Sequence, residues 1–300
     1  MIRLVYVASP SFSGSTLLTF LLNAHPDVAT IGELKWGEID LETYQCSCGS
    51  RLCECRFWDA VSKAVRARGL PFDLARPPTD FRCRRRPWAD RIARARVRGP
   101  MFERIRSAAL AVVPATRRNW LVIAAVNRAV IEASLDLQGA QVFADASKDP
   151  VRLIHLQACG HYEIRVIHLI RDGRGVTNSA IKNQDMSAEF AAREWLRTHR
   201  QIELMSGRLG GDRVLRVAYE DLCRALPETM SHVFSFIGVN NADISEDYHL
   251  KEHHVLGNRM RLRLTNKVRL DEKWRTTLKP EALCLFERLA GDRNRAYGYE

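Results

Sequence analysis

Small and hydroxyl-bearing side chains are concentrated near the amino terminus, in residues 9–16. Ser13, Ser15 and Thr16 offer hydroxyl donors, and Gly14 allows the backbone to approach a ligand closely. Leucines then recur at helical spacing, so this loop should lead into the first turn of a helix. The N–H groups of such a loop and the dipole of the helix favour an oxyanion at one point. The segment therefore predicts a cradle for phosphate or sulfate.

The elements that must position this loop are a strand before it and a helix after it. Residues 2–7 form a short, mostly apolar run, as a buried parallel strand does, and the helix should end at His25-Pro26. This order is also typical of the nucleotide-binding P-loop, whose Gly-Lys-Ser/Thr sequence holds a magnesium-bound triphosphate. Here Ser15 follows Gly14 and the loop has no Lys, which favours a different anion. An ordinary strand, turn and helix is the alternative.

Three further apolar runs predict buried strands, at residues 141–144, 164–170 and 214–217. Helical patterns follow them after short polar connections. This alternation predicts an α/β fold, a P-loop-like, doubly wound parallel sheet flanked by helices. Ligands of such sheets lie beyond the carboxyl ends of the strands. Lys148, Arg171 and Tyr219 follow the three runs, so we expect them on one rim with the first loop.

The chain of 300 residues is basic, with 46 Lys and Arg against 35 Asp and Glu and a formal net charge of +11. That balance predicts an anionic partner: a nucleotide, a sulfated or phosphorylated acceptor, nucleic acid or a membrane surface. Neither a secretory leader nor a membrane-spanning apolar run is evident in the sequence. We therefore expect a cytoplasmic protein.

Residues 36–139 interrupt the alternation and predict a mainly helical insertion within a single domain of residues 1–300. Helical patterns lie at residues 57–67 and 120–137. Arginine dominates residues 82–106, and its planar guanidinium pairs bidentately with sulfate, phosphate or carboxylate. The insertion therefore predicts a basic cap beside the ligand site. A solvated helix face is the alternative.

Four of the eight cysteines are clustered as Cys46, Cys48, Cys53 and Cys55. Four thiolates can bind zinc, although this CxC spacing is less typical of zinc sites than CxxC. Disulfides and a metal-free knuckle are the alternatives. The adjacent His253 and His254 should point apart, which disfavours a metal site between them.

The amino-terminal segment resembles the 5′-phosphosulfate loop of sulfotransferases that use 3′-phosphoadenosine 5′-phosphosulfate (PAPS). Residues 11–18, His-Pro at residues 25–26 and Gly-Glu at residues 32–33 occur in the order found in the bacterial and tyrosylprotein branches. The resemblance implies that the donor is bound by Ser11, Phe12, Ser13, Gly14, Ser15 and Thr16. Phe12 departs from the pattern, because relatives usually carry Arg or Lys there. Either another cation replaces that charge or catalysis is weaker.

Three later motifs also resemble this family. Arg171, in an Arg-Asp-Gly-Arg turn, and Ser179 are similar to the 3′-phosphate motif. Tyr219, in a Tyr-Glu-Asp-Leu segment, is similar to a residue near adenine, although a core Tyr at a strand end is equally expected. Residues 253–261 resemble the carboxy-terminal nucleotide loop. That similarity implies ligand contacts from Asn258 and from one of Arg261, Arg259 or Arg263.

Sulfuryl transfer is an in-line displacement with needs like those of phosphoryl transfer. A base must take the acceptor's proton, and cations or dipoles must stabilise the leaving phosphate. The resemblance assigns these catalytic roles to Glu33 and Lys148, and Lys148 would carry some of the duty that Phe12 cannot. Structural ion pairs of Glu33 with Lys35 or an arginine, or of Lys148 with Asp149, are the alternatives. The mechanism requires no metal.

Together these motifs predict a PAPS-dependent sulfotransferase that modifies a hydroxyl or amine of an unidentified acceptor. The insertion would lie on the acceptor side, and an anionic acceptor and peripheral membrane contact both fit its charge. A P-loop kinase or other nucleotide-binding protein is the first alternative, disfavoured by the missing loop Lys. A basic non-enzymatic nucleic-acid binder is the second, and the arginine run lacks the interleaved aromatic residues of a specific site.

Overall fold

A computed structural model describes residues 1–242, 248, 251–262 and 268–300, the side chain of Arg259 excepted. The predicted contacts from Arg259 and Arg263 therefore lie outside the described residues. Within the described part of the chain, parallel strands form one five-stranded sheet in the order β2-β3-β1-β4-β5. The strands are β1 (Ile2–Ala8), β2 (Val28–Thr30), β3 (Val142–Lys148), β4 (Tyr162–Ile170) and β5 (Val214–Ala218).

The predicted α/β class and the parallel sheet are confirmed. Strand β1 lies at the centre, and the chain crosses from β3 on one side of it to β4 on the other. The carboxyl ends of these three strands therefore border the topological switch point, where open α/β sheets bind ligands. Strand β2 could not be predicted from the sequence, because three residues are too few to show a period.

Helices cover both faces of the sheet. They are α1 (Ser15–Ala24), α2 (Arg56–Ala67), α3 (Pro87–Ala93), α4 (Pro100–Val112), α5 (Pro114–Gln138), α6 (Pro150–Ala158), α7 (Gly173–Gln184), α8 (Ala188–Leu209), α9 (Tyr219–Arg224), α10 (Leu226–Ile237), α11 (Trp274–Thr277) and α12 (Pro280–Ala296). None of the helices in the described ranges is long and apolar enough to cross a membrane.

The side chains of β1 alternate between two cores, as the two-residue period of a strand requires. Leu4 and Tyr6 pack into a core shared with α2, α5 and α6. Val5 and Val7 pack into the opposite core, shared with α1 and α10. Because apolar side chains are buried on both faces, the strand ends are the places where polar groups of the sheet reach solvent.

The insertion is helical, as predicted. Helix α2 begins one residue before the predicted start and packs against α5. Helix α5 begins at Pro114, six residues earlier than predicted, since proline is well accommodated in a first helical turn. The arginine-rich stretch contains α3 and α4, which also begin at prolines.

Candidate active site

A cleft of about 1500 Å³ opens at the carboxyl ends of the strands. It is larger than the roughly 300–1,000 Å³ of an ordinary small-molecule pocket, so it has room for two substrates. Most of the predicted site residues line it: Ser11, Phe12, Gly14, Ser15, Thr16, Glu33, Lys148, Arg171, Ser179, Tyr219 and Asn258. Ser13, within the loop, is fully buried and does not line the cleft.

The loop after β1 is shaped by a close contact between Gly14 and Tyr219. Gly14 has φ 88° and forms the N-cap of α1. A Cβ atom at this position would lie 2.4 Å from Cδ2 of the Tyr219 ring, so only glycine fits without a shift. The Tyr219 ring therefore covers the loop from the end of β5, beside the N-terminus of α1.

Arg171 connects the loop to the end of β4. Its guanidinium lies 4.5 Å from the centroid of the Tyr219 ring, and Nη1 donates to the carbonyl of Phe12 at 2.8 Å. Nη2 donates to the backbone oxygen of Asp271 at 2.9 Å and pairs with its carboxylate at 3.2 Å. Ser179 is half-buried on α7, where its hydroxyl donates to the carbonyl of Gly175. A cation and a hydroxyl thus line the cleft on either side of the start of α7.

Phe12 packs against a small apolar cluster that includes Val176, Trp195 and Phe286. Its φ of 65° is unusual for a bulky residue and marks a strained turn in the loop. Position 12, where the resemblance predicts a cation, is therefore apolar here, and the Arg171 guanidinium contacts the loop through the Phe12 carbonyl.

The two predicted catalytic residues contact each other. Lys148 Nζ lies 2.5 Å from Glu33 Oε1, and both side chains are partly exposed to the cleft. Lys148 ends β3 with φ 67°, a left-handed conformation rare outside glycine. Asp145 supports this turn, because its carboxylate accepts hydrogen bonds from the backbone N–H and the hydroxyl of Ser147. The same carboxylate forms a fully buried ion pair with Arg152.

A second ion pair lies beside the first. Lys35 Nζ is 2.5 Å from Asp149 Oδ2, and Asp149 also caps α6 by accepting from the Val151 N–H. Burial alone would raise the pKa of the Asp149 carboxyl, but Lys35 holds it below its usual value. The alternatives predicted from the sequence were ion pairs of Glu33 with Lys35 or an arginine, and of Lys148 with Asp149. In the structure the partners are exchanged: Glu33 pairs with Lys148, and Lys35 pairs with Asp149.

Comparison with known proteins identifies the family. A profile described as the sulfotransferase family matches residues 5–243. The chain belongs to the sulfotransferase family. That match includes the loop, Glu33, Lys148, Arg171, Ser179 and Tyr219, and ends before Asn258. The family and the fold together support sulfuryl transfer as its activity, while the tyrosylprotein branch stays a prediction.

Solved structures share the fold of this sulfotransferase. The sulfotransferase domain of the Synechococcus PCC 7002 olefin synthase is 20% identical, with 97% of this chain and 94% of that one covered and a TM-score of 0.52. The sulfotransferase domain from the curacin biosynthetic pathway is 14% identical, with 100% and 99% covered and a TM-score of 0.53. No curated protein matches the chain.

The segment around Leu256 of this sulfotransferase is held beside β2. Leu256 donates to the carbonyl of Ile31 at 2.8 Å and accepts from the N–H of Glu33. This contact places the exposed Asn258 at the cleft. Arg261 is buried instead: it donates to the carbonyls of Gln45 and Gly257 and stacks on Tyr44, and it does not line the cleft. Its predicted contact with the nucleotide stays untested.

The predicted set of four cysteines is wrong in one member. Cys46, Cys48 and Cys55 converge, but Cys53 is exposed and lies 3.6 Å from Glu42 Oε2. His254 takes the fourth place. Adjacent histidines were expected to point apart, which disfavoured a metal site between them. They do diverge, since His253 contacts Asn23 while His254 faces the cysteines.

Several cleft residues of this sulfotransferase were not singled out as site residues in the sequence. Arg94 and Arg96 of the insertion line the cleft, as do Gln201 on α8 and His155 on α6. Burial lowers the pKa of His155 to about 4, so its imidazole is neutral at pH 7. Only the arginines carried a signal, the density of basic residues. That density does not show which of them face the cleft.

Proposed function

We propose that this sulfotransferase transfers the sulfuryl group of PAPS to a hydroxyl or amine of an anionic acceptor. The observation that carries the proposal is the shared cleft. It joins an oxyanion-binding loop, Arg171 with Ser179, and the Glu33–Lys148 pair at adjacent strand ends.

The donor would span the rim. Backbone N–H groups of the loop and the N-terminus of α1 suit the 5′-phosphosulfate. Arg171 and Ser179 suit the 3′-phosphate, because a guanidinium and a hydroxyl give charge-assisted hydrogen bonds. Tyr219 offers an aromatic ring for adenine, and Asn258 also lines the cleft. Binding would require Arg171 to exchange its carboxylate partner Asp271 for phosphate.

The Glu33–Lys148 pair would divide the chemistry. An acceptor oxygen or nitrogen attacks sulfur, the bond from sulfur to the phosphate oxygen breaks, and 3′-phosphoadenosine 5′-phosphate leaves. Glu33 accepts the proton of the acceptor, and Lys148 stabilises the negative charge on the departing phosphate. Because the two side chains contact each other in the cleft, both would be within reach of the same donor and acceptor.

The acceptor wall is basic. Arg94 and Arg96 line both the cleft and an adjoining groove of about 1010 Å³. Further arginines continue this groove on the insertion and on α8: Arg91, Arg98, Arg193, Arg197 and Arg200. Such a surface favours an acceptor that carries carboxylate, sulfate or phosphate groups. We assign residues 36–139 to the acceptor-side cap on this ground.

The proposal is tested by offering PAPS with radiolabelled sulfur together with matched neutral and anionic acceptors. Saccharides and phenols with and without a carboxylate or sulfate are suitable pairs. We expect label in the acceptor, release of 3′-phosphoadenosine 5′-phosphate, and more transfer to the anionic member of each pair. A protein that binds ATP with magnesium but not 3′-phosphoadenosine 5′-phosphate would contradict the proposal.

A further inference from the structure

Four metal-ligating side chains meet outside the cleft, and we call them the Cys3His cluster: Cys46, Cys48, Cys55 and His254. Their ligand atoms all lie within 4.8 Å of one another. Cys48 Sγ is 3.8 Å from Cys55 Sγ. His254 Nδ1 is 3.5 Å from Cys55 Sγ and 3.8 Å from Cys46 Sγ.

The three separations of 3.5–3.8 Å are close to the edges of a zinc tetrahedron. With Zn–S bonds of about 2.3 Å and a Zn–N bond of about 2.0–2.1 Å, tetrahedral angles place two sulfurs about 3.8 Å apart and sulfur and nitrogen about 3.6 Å apart. Soft thiolates with one imidazole are a donor set that suits zinc and leaves no open position for catalysis.

The backbone folds the cysteines into this arrangement. In the turn after Cys46, Gly49 donates to the Cys46 carbonyl and has φ 90°. Cys46 in turn donates to the carbonyl of Ser50, so Cys48 is brought back toward the helix that follows. Cys55 is the N-cap residue of α2, where helix amides favour a negatively charged sulfur.

The imidazole is oriented on both sides. The His254 ring stacks on Phe57 of α2, with centroids 4.4 Å apart and planes 3° from parallel. Its Nδ1 faces the sulfurs, and its Nε2 lies 3.6 Å from Glu252 Oε1. A carboxylate at the far nitrogen is the usual outer partner of a metal-bound histidine.

We propose that the Cys3His cluster binds one structural zinc ion. The ion joins the cysteines of residues 46–55 to His254, which lies 199 positions after Cys55 in the chain. That later segment hydrogen-bonds through Leu256 to Ile31 and Glu33, just after β2, and brings Asn258 to the cleft. Zinc therefore fixes one wall of the cleft while taking no part in the reaction, and it stabilises the fold because the unfolded chain has no preformed site.

The test measures metal on the full chain, and Cys53→Ser is the matched control. Protein purified without chelator should contain about one zinc per chain by elemental analysis. Cys55→Ser and His254→Ala should each weaken zinc binding by roughly 100-fold or more, whereas Cys53→Ser should keep full zinc. Glu252→Gln should weaken it about 10-fold.

A cobalt titration covers the case in which a ligand variant fails to fold. Wild-type and Cys53→Ser protein, stripped of metal and reduced, should bind Co²⁺ to saturation at about one equivalent with the absorption of a thiolate-bound tetrahedral ion. Removal of zinc should also lower the Tm of both proteins. Absence of zinc and of cobalt binding in reduced wild-type protein would overturn the proposal. So would equal loss of zinc in Cys53→Ser and Cys55→Ser, or a peptide map of the unreduced protein that shows a disulfide between Cys48 and Cys55.

Discussion

The two walls of the cleft hold their charged side chains differently. On the donor rim, formed by the residue 9–16 loop, Arg171, Ser179 and Tyr219, the Arg171 side chain is 8% exposed and fixed by the loop carbonyl and Asp271. On the basic cap of residues 36–139, the Arg94 side chain is 60% exposed, with one carboxylate 3.8 Å away. A buried cation held by several hydrogen bonds is fixed in one geometry, whereas an exposed one adapts. We infer that the rim is built for one donor and the cap for a class of acceptors.

The largest expected effect concerns the Glu33–Lys148 pair. Glu33→Gln should lower turnover roughly 10²-fold or more, because a carboxamide cannot take the acceptor's proton, and should leave donor binding nearly unchanged. Steady-state kinetics together with calorimetric donor binding would separate the two. Glu228→Gln, at an exposed position on α10, is the matched control. Full turnover in Glu33→Gln would place the base elsewhere.

An effect of roughly tenfold on the KM for the acceptor is expected when two arginines of the basic cap are removed. An exposed ion pair is worth about 0.2–1 kcal/mol, so removing both Arg94 and Arg96 should raise the KM for an anionic acceptor roughly 2- to 30-fold. Affinity for the donor and kcat should change little, and added salt should reduce the difference. The exposed pair Arg117 and Arg118 on α5, changed to Ala together, controls for loss of charge. Equal effects of the two double variants would show that the cap acts only through net charge.

The smallest effect concerns strain at the rim. Lys148 has φ 67°, which costs an alanine about 1 kcal/mol more than a glycine. Lys148→Gly should therefore be more stable than Lys148→Ala by that amount, although both lose the ammonium group and should lose turnover alike. Denaturant unfolding measures the first difference and kinetics the second. If Lys148→Gly is the less stable of the two, the left-handed turn is wrong.

The sequence predicted the residues at the strand ends of the rim better than the side-chain contacts of the rim and the cap. Lys148, Arg171 and Tyr219 follow buried strands, and parallel strands end at one edge, so their meeting followed from the pattern. The contact of Tyr219 with Gly14 and the packing of Phe12 could not be predicted, because each depends on side chains from distant elements. His254 joins cysteines 199 or more positions away, a separation for which local spacing carries no information. On the cap, composition predicted the charge but did not show that Arg94 and Arg96 face the cleft.

Calorimetric titration with 3′-phosphoadenosine 5′-phosphate and with AMP tests the donor rim most directly. The two nucleotides differ by the 3′-phosphate assigned to Arg171 and Ser179. We expect the first to bind at least about tenfold more tightly, a difference of about 1.4 kcal/mol for a charge-assisted phosphate contact, and Arg171→Ala to remove most of that preference. Equal affinity of the wild-type protein for both nucleotides would contradict the assignment of the rim to this donor.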